Sequence, residues 1–408
     1  MSVSLRLVSL LLGFLPAFCA ASMMPAIELP VSGISASQLA VVYLQADPQS
    51  EKIARYYAAK RDIPEKNIIS IALRAENGVV QPARFAVQKK LLDARLGQNI
   101  QAYALAWTSP YRVGCMGITA AFAFGFDTAY CSNGCKRTRS SPYYNSGSTR
   151  PYHDFSVRPA MLLAGESFDE VAALIDRGIS ADDSQPRGAV YLLQTSDAAR
   201  SVRKILFPAI AQSFRKWHRV HLLKQDTLQN TSDILFYFTG LANVQGLDSL
   251  HFFPGAMADH LTSYGGQLPH SSQMSALAWL QAGATGSYGT ALEPCAFVQK
   301  FPNPYLAIWH YRSGASLLEA YWKSVQMPGQ GNFIGEPLAA PFRGYRLRMQ
   351  DRKLFIESPV FFTGRYRVYA LDAGLPRVAG DFRLRAGEKS IALEPPFSAA
   401  YRVERLRD

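Results

Sequence analysis

Short apolar runs alternate with amphipathic stretches along the first three quarters of the chain. The run LAVVYL at 39–44 is rich in β-branched residues, which is typical of a buried strand. The next stretch predicts a helix, with Asp47 as its cap, Pro48 in its first turn and its end before Pro64. A strand, a helix and a further strand are predicted next, at 68–73, 82–96 and 101–107. This β-α-β-α-β order predicts a mainly parallel sheet with helices on both faces.

The alternation resumes after a Gly-rich, irregular segment at 107–150. Apolar runs predict strands at 188–194, 233–240 and 247–255, with a short strand or turn at TGSYGT. Periodic stretches predict helices at 168–179, from about Ser196, and at 274–284, 305–311 and 315–325. Together these elements predict an α/β fold over residues 35–343.

The pattern of hydrophobic and polar residues changes after Pro341. Short alternating runs, YRLRMQ, KLFIES, RYRVYAL, FRLRA and SIALEP, are separated by Gly, Asp and Pro turns. This spacing predicts a small C-terminal β-sandwich of about five strands. We place its boundary near Gly344, so that it covers residues 344–408.

The first residues form a secretory signal pattern. MSVSLRLVSLLLGFLPAFCAAS has Arg6 before an apolar run, and small residues after it. A signal peptide over 1–21 is predicted, with cleavage after Cys19 or Ala21; acylation of Cys19 is the alternative, disfavoured by Phe18. No later run approaches the roughly 20 apolar residues of a membrane helix. We therefore expect an exported protein, periplasmic or extracellular, without a transmembrane segment after the signal.

Export changes how the remaining cysteines are interpreted. Cys115, Cys131, Cys135 and Cys295 would meet an oxidising compartment, which favours one or two disulfides. Cys131 and Cys135 bracket Ser-Asn-Gly, a loop that could close on itself. A metal site is the alternative, but a close cysteine pair with no nearby His is a weak zinc pattern.

The net charge of +12 indicates which chemical class of binding partner to expect. An excess of cations favours anionic surroundings, such as acidic polysaccharide, lipid headgroups or cell-wall polymers, although it can also be spread surface charge. We expect an anionic glycan or an envelope protein as partner. Export and the lack of a dense basic motif argue against nucleic acid. No phosphate-binding Gly loop is present, and no cofactor or metal is predicted.

The candidate functional residues lie where the predicted strands end. In open α/β sheets ligands bind outside the carboxyl ends of the strands. The segments that follow the predicted strands place Arg112, Thr239, Gly255 and Tyr288 on one binding rim. Asp259 would lie one helical turn beyond that rim, beside His260.

Two of these side chains suggest catalysis. His260 could act as a general base, although the adjacent Asp259 would orient it poorly on a helix; a structural histidine is the alternative. Cys295 could be a thiolate nucleophile, half of a disulfide or a small buried residue. Ser287 does not fit a nucleophile elbow, because Thr285 stands where that motif needs Gly.

Several motifs resemble a known but uncharacterised family of exported bacterial proteins. They are ADPQSEKIARYYAAKRDIPEKNII, ILFYFTGLANVQGL, PGAMADHLTSYGGQL, ALAWLQAGATGSYGTALEPC, KFPNPYL and YRSGASLLEAYWKSVQMPGQGNFIGEPLAAPF, between residues 38 and 342. The family occurs in genomes that carry the exosortase sorting system and its PEP-CTERM substrates. The resemblance implies an envelope setting, near machinery that sorts proteins and builds extracellular polysaccharide.

The order of elements is also similar to that of gingipain-type, caspase-like cysteine peptidases. Those enzymes carry a His and a Cys at the ends of neighbouring strands. The corresponding places here are Thr239-Gly240 and Pro254-Gly255, which hold neither residue. Two hypotheses follow: a non-catalytic caspase-like accessory or binding protein of the envelope, or a cysteine hydrolase that uses His260 and Cys295.

Overall fold

The computed structural model describes residues 24–30, 33–132, 134–372 and 375–406. The predicted signal peptide lies outside these residues. Among the described residues, no helix is both long enough and apolar enough to cross a bilayer.

Most helices lie close to the predicted positions, but Ile118–Phe124 and Pro151–Phe155 were not predicted, and the helix predicted from about Ser196 begins at Phe207 after a 3-10 turn. Asp47 caps the first helix, because its side chain accepts from the backbone N–H groups of Gln49 and Ser50 at 2.9 and 3.2 Å. The helices are Pro48–Arg61 (α1), Pro82–Arg95 (α2), Ile118–Phe124 (α3), Pro151–Phe155 (α4), Phe168–Ala181 (α5), Phe207–Phe214 (α6), Leu277–Gln281 (α7), Pro304–Arg312 (α8) and Leu317–Ser324 (α9).

Within the described residues, ten strands form one central sheet. They are Leu39–Leu44 (β1), Ile68–Ile71 (β2), Ala102–Leu105 (β3), Ala160–Leu162 (β4), Ala189–Gln194 (β5), Val220–Lys224 (β6), Thr231–Thr239 (β7), Leu250–His260 (β8), Gly286–Thr290 (β9) and Gly331–Gly335 (β10). Their order is β6-β5-β7-β8-β9-β10-β4-β3-β1-β2. Neighbouring strands are parallel except β9 and β10, which are antiparallel.

Helices cover both faces of this sheet, which confirms the predicted α/β class. On one face α1, α5, α6, α8 and α9 pack into a core with Val41, Phe236 and Tyr288. On the other face α2 and α3 pack with Val42 and Leu105. Strands buried on both faces need near-continuous apolar sequence, which explains why β1 and β7 were recognisable as runs.

The strand predicted at 247–255 differs from the observed β8. Pro254 and Gly255 interrupt the pairing without ending the strand: Ile234 pairs with Phe252, and Phe236 pairs with Met257. The extra residues form an irregular, bulge-like step in which Gly255 has φ +87°, a conformation that favours glycine. Its N–H donates to Thr285 Oγ1 at 2.8 Å. The prediction that the strand ends at 255 is therefore wrong, since β8 continues to His260.

The C-terminal sandwich is confirmed, with two unpredicted strands, Ala400–Arg405 and, from the other end of the chain, Ala26–Glu28. Its strands are Arg346–Gln350 (β11), Lys353–Glu357 (β12), Gly364–Ala370 (β13), Arg377–Leu384 (β14), Ser390–Leu393 (β15) and Ala400–Arg405 (β16). One sheet is β11-β12-β15, and the other is Ala26–Glu28 followed by β16, β13 and β14. Both sheets contribute to one apolar core, which contains Ile356, Ile391, Val368 and Val403.

Candidate functional site

The carboxyl ends of β7, β8 and β9 meet at one edge of the central sheet. Thr239 pairs with His260, and Met257 pairs with Gly286, which brings Tyr288 level with Asp259. We call Thr239, Asp259, His260 and Tyr288 the carboxyl edge. Each of these side chains is no more than 2% exposed. The structure therefore brings the predicted residues together, but inside the core.

Two predicted rim residues lie elsewhere. Gly255 sits inside β8, five residues before its end, or roughly 16 Å at the usual strand rise. Arg112 belongs to a small separate sheet with Val79–Val80 and Met116–Gly117. Asn332 joins that region to the edge, because its amide donates to the carbonyl oxygens of Tyr111 and Gly266 at 2.8 and 2.9 Å.

Asp259 forms a buried ion pair with an arginine that the sequence analysis did not single out. Arg203 donates from Nη1 to Asp259 Oδ1 at 2.5 Å, and from Nη2 to the carbonyl oxygen of Thr239 at 2.6 Å. Burial raises the pKa of Asp259 to about 6, and Arg203 opposes that rise. The pair ties the short helical turn Ser201–Leu206 to the ends of β7 and β8.

His260 points to the opposite face of the sheet from Asp259. Consecutive residues of a strand alternate between faces, so the predicted placement of both on a helical turn is wrong. Trp279 Nε1–H donates to His260 Nδ1 at 2.9 Å, and His260 Nε2 lies 3.1 Å from the carbonyl oxygen of Met274. Because a carbonyl can only accept, Nε2 carries the proton.

Both ring nitrogens of His260 are therefore occupied within the protein. Burial lowers the pKa of His260 to about 3, and the nearby charges of Arg203 and Arg200 act in the same direction. A general base needs a free lone pair on nitrogen and access to the proton that it removes. In this arrangement His260 anchors α7 to β8.

Cys295 is bonded to Cys135, and Cys115 is bonded to Cys131. The expectation of one or two disulfides is confirmed, while closure of the loop between Cys131 and Cys135 is wrong. A disulfide sulfur is not a thiolate, so Cys295 is not available as a nucleophile while it is bonded to Cys135. The bond instead links the irregular segment after α3 to the loop after β9.

The edge contains further buried polar atoms for which the described residues offer no hydrogen-bond partner. They are Thr239 Oγ1, Asp259 Oδ2 and, beside Tyr288, Ser287 Oγ; Lys300 Nζ, near the ring of Phe297, is a fourth such atom outside the edge. Lys300 is fully buried, and burial lowers its pKa to about 8, against the attraction of Glu293. The described residues contain no group of three His, Cys, Asp or Glu side chains that could hold a metal ion.

Arg203, Trp279 and Asn332 organise this region, and sequence reasoning missed all three. A buried tryptophan needs an acceptor for its N–H group, which was the one available signal for Trp279. Nothing in SVRKILF distinguished Arg203 from surface cations, because its partner lies 56 residues away in Asp259.

Comparison with known proteins gives little beyond this description. No family model matches the chain, and no curated protein matches it. Similar solved structures include one described as "Structure of Protease", at 10% identity and TM-score 0.39, which covers 91% of this chain and 95% of that one. Another is "Complex of Porphyromonas gingivalis RgpB pro- and mature domains", at 9% identity and TM-score 0.42, with coverage of 89% and 94%.

Likeness at this level carries no inference about activity. The fold itself defines the class: an α/β protein with a mainly parallel sheet flanked by helices, joined to a small β-sandwich.

Proposed function

We propose that the chain is an exported envelope protein that acts by binding, on a caspase-like scaffold without a cysteine–histidine dyad. One observation carries this proposal: both nitrogens of His260 are hydrogen-bonded inside the core, while Cys295 is held in a disulfide. Two disulfides fit an oxidising compartment, and a charge of +12 suits anionic surroundings. The family resemblance suggests a place near exosortase and polysaccharide machinery.

Peptidase assays test this proposal directly. The purified, oxidised protein is incubated in separate reactions, one with a mixed peptide library and one with a thiol-alkylating reagent. We expect no cleavage and no alkylation of Cys295. Cleavage that is abolished by Cys295→Ala, but kept by the matched disulfide variant Cys115→Ala, would overturn the proposal.

The cysteine hydrolase that uses His260 and Cys295 remains the alternative hypothesis. It would need the bond between Cys135 and Cys295 reduced, and His260 released from Trp279 and Met274. The same library assay with dithiothreitol examines it. Reductant-dependent cleavage that is lost in both Cys295→Ala and His260→Ala would favour it over the binding role.

A further inference from the structure

A cleft opens where the α/β part of the chain meets the sandwich. Its volume is ≈ 680 Å³, within the range of about 300–1,000 Å³ that is common for small-molecule sites. One wall comes from the end of α6 and from α8, and the other from the segments 357–363 and 386–390 of the sandwich. We call it the junction cleft.

Exposed aromatic rings line this cleft. Trp309 is 43% exposed and Trp217 is 37% exposed, although tryptophan is usually well buried. The partly exposed Phe362 adds apolar surface from the sandwich side of the cleft. Ring faces carry partial negative charge and attract polarised C–H groups, so they offer a platform for a flat, partly apolar ligand.

Arg312 is held rigidly in this cleft by partners that carry no charge. Its guanidinium carbon lies 4.7 Å from the ring centroid of Trp217 and 4.8 Å from that of Phe342. Its Nη1 donates to His218 Nε2 at 2.8 Å, since His218 Nδ1 bonds the carbonyl oxygen of Gly188 at 2.7 Å. Burial lowers the pKa of His218 to about 4, and Arg312 adds to that effect, so the imidazole is neutral near pH 7.

Two lysines add charge to the same cleft. Lys216 Nζ lies 4.0 Å from the ring centroid of Trp217, and Lys389 Nζ lies 4.4 Å from that of Phe362. Lys389 donates to the carbonyl oxygen of Pro359 at 2.7 Å. Among the described residues, Lys216, Arg312 and Lys389 form no ion pair with a carboxylate. Partial burial, with repulsion from Arg312 and Lys216, lowers the pKa of Lys389 to about 8.

The carboxylates in the cleft wall are already engaged. Glu357 accepts from Arg348 Nε at 3.2 Å, and Glu388 accepts from the backbone N–H of Arg385 at 2.7 Å. Arg346 is a fourth cation in the lining. The cleft therefore combines rings with an excess of positive charge, since four cations and two carboxylates line it.

We propose that the junction cleft binds a short acidic oligosaccharide, with Arg312 and Lys389 on its carboxylates and Trp309 against a sugar ring. This deepens the proposed binding role and rests on it. A uronic acid presents a flat C–H face beside a carboxylate, which matches the mixture of rings and cations. An acidic peptide brings carboxylates on flexible side chains without such a face, and it fits the exposed indole rings less well.

Calorimetry with defined probes tests the proposal on the purified full protein. Tri-galacturonate and tri-mannuronate are each compared with their methyl esters, which keep the shape and remove the charge. We expect binding of the acids that weakens as NaCl rises, and at least tenfold weaker binding of the esters.

Matched variants locate the site. Trp309→Ala and Lys389→Gln alter exposed residues, and each is expected to weaken binding of the acid at least fivefold; Arg312→Gln is expected to weaken it tenfold or more. Lys66→Gln and Phe397→Ala make similar changes at exposed residues that do not line the cleft, and they should bind as the original protein does.

The proposal would be overturned by no binding of either acid, by equal binding of the esters, or by equal loss in the control variants. Stronger binding of tri-glutamate than of both sugars would also overturn it, in favour of a peptide ligand. None of these results involves peptide cleavage. Failure of the cleft proposal can therefore be distinguished from failure of the proposed binding role without a dyad, which the peptidase assay tests.

Discussion

The carboxyl edge and the junction cleft hold polar groups under opposite conditions. At the edge, Asp259 and His260 are buried and bonded to Arg203 and Trp279. In the cleft, Arg312 and its neighbouring lysines meet neutral acceptors and rings, and solvent reaches them. The bonds of the edge are closed to solvent, even though Thr239 Oγ1 and Asp259 Oδ2 have no partner among the described residues. The cations of the cleft face an open cavity and are available to a ligand.

The largest expected effect is at the buried ion pair. Arg203→Met leaves Asp259 buried without its partner, so we expect the free energy of unfolding to fall by about 3–5 kcal/mol in urea titrations. Arg219→Met is the matched control, because Arg219 pairs with Asp233 at 2.6 Å on an exposed side chain; its expected cost is below about 1 kcal/mol. Equal losses in the two variants would remove the contrast between edge and surface.

A partial rescue sharpens that result. The double variant Arg203→Met with Asp259→Leu removes both charges, and we expect it to recover much of the stability lost by Arg203→Met alone. No recovery would mean that the arginine acts mainly through its bonds to the carbonyl oxygens of Thr239 and Pro302.

The second-largest effect on stability is expected from removing the disulfide between Cys135 and Cys295. Replacing Cys135 and Cys295 by Ser opens a loop of 160 residues, and we expect a loss of about 2–4 kcal/mol in the free energy of unfolding. Replacing Cys115 and Cys131 opens a loop of 16 residues and should cost less by the same chain-entropy argument. A stabilised Cys135/Cys295 variant would contradict a structural role for this bond.

The burial of His260 predicts a dependence of stability on pH. Its pKa is about 3 in the folded protein and near 6.5 when unfolded. As the pH falls from 6.5 towards 3, the unfolded chain takes up a proton that the folded protein does not. His260 therefore removes up to about 1.4 kcal/mol of stability for each pH unit lost in that window.

His260→Gln abolishes this contribution. The variant should lose stability less steeply than the original protein between pH 6 and pH 4 in urea titrations at each pH. Burial also shifts the pKa values of His218, Asp259 and His310, which is partly buried near Lys323, but these groups are present in both proteins, so the difference between the two slopes isolates His260. Parallel slopes would show that His260 is not held neutral in the core.

The smallest effect on stability is expected in the cleft. Lys389→Gln removes an exposed cation whose partners are the backbone carbonyl oxygens of Pro359 and Phe361, so the free energy of unfolding should change by less than about 1 kcal/mol at pH 7. A loss above about 1.5 kcal/mol in urea titrations would place Lys389 in the structural framework and break the comparison.

The sequence was sufficient for the layered α/β class, because runs such as 39–44 and 233–240 are apolar throughout and are separated by capped helices. Strands β4, β6 and β10 were missed, since they are short and two of them adjoin glycines or polar residues. Strand β8 was cut short because Pro254 and Gly255 look like an end, while tertiary pairing carries the chain across them.

The candidate site was predicted less well, for a related reason. Strand ends identified Thr239, Asp259 and Tyr288 as neighbours, but local pattern says nothing of exposure or of distant partners such as Arg203 and Trp279. The junction cleft depends on Trp217 and Arg312 of the α/β part and on Lys389 of the sandwich, which are far apart in the sequence. Only packing of the sandwich against α6 and α8 brings them together.

The state of His260 tests most directly whether the carboxyl edge is core or reaction centre. With ¹⁵N-labelled histidine, magnetic resonance reports the protonation of each ring nitrogen as the pH changes. We expect one histidine, absent from the spectrum of His260→Gln, to stay neutral with its proton on Nε2 from pH 8 down to pH 4. Titration of that signal between pH 6 and pH 7 would contradict the closed, dyad-free edge.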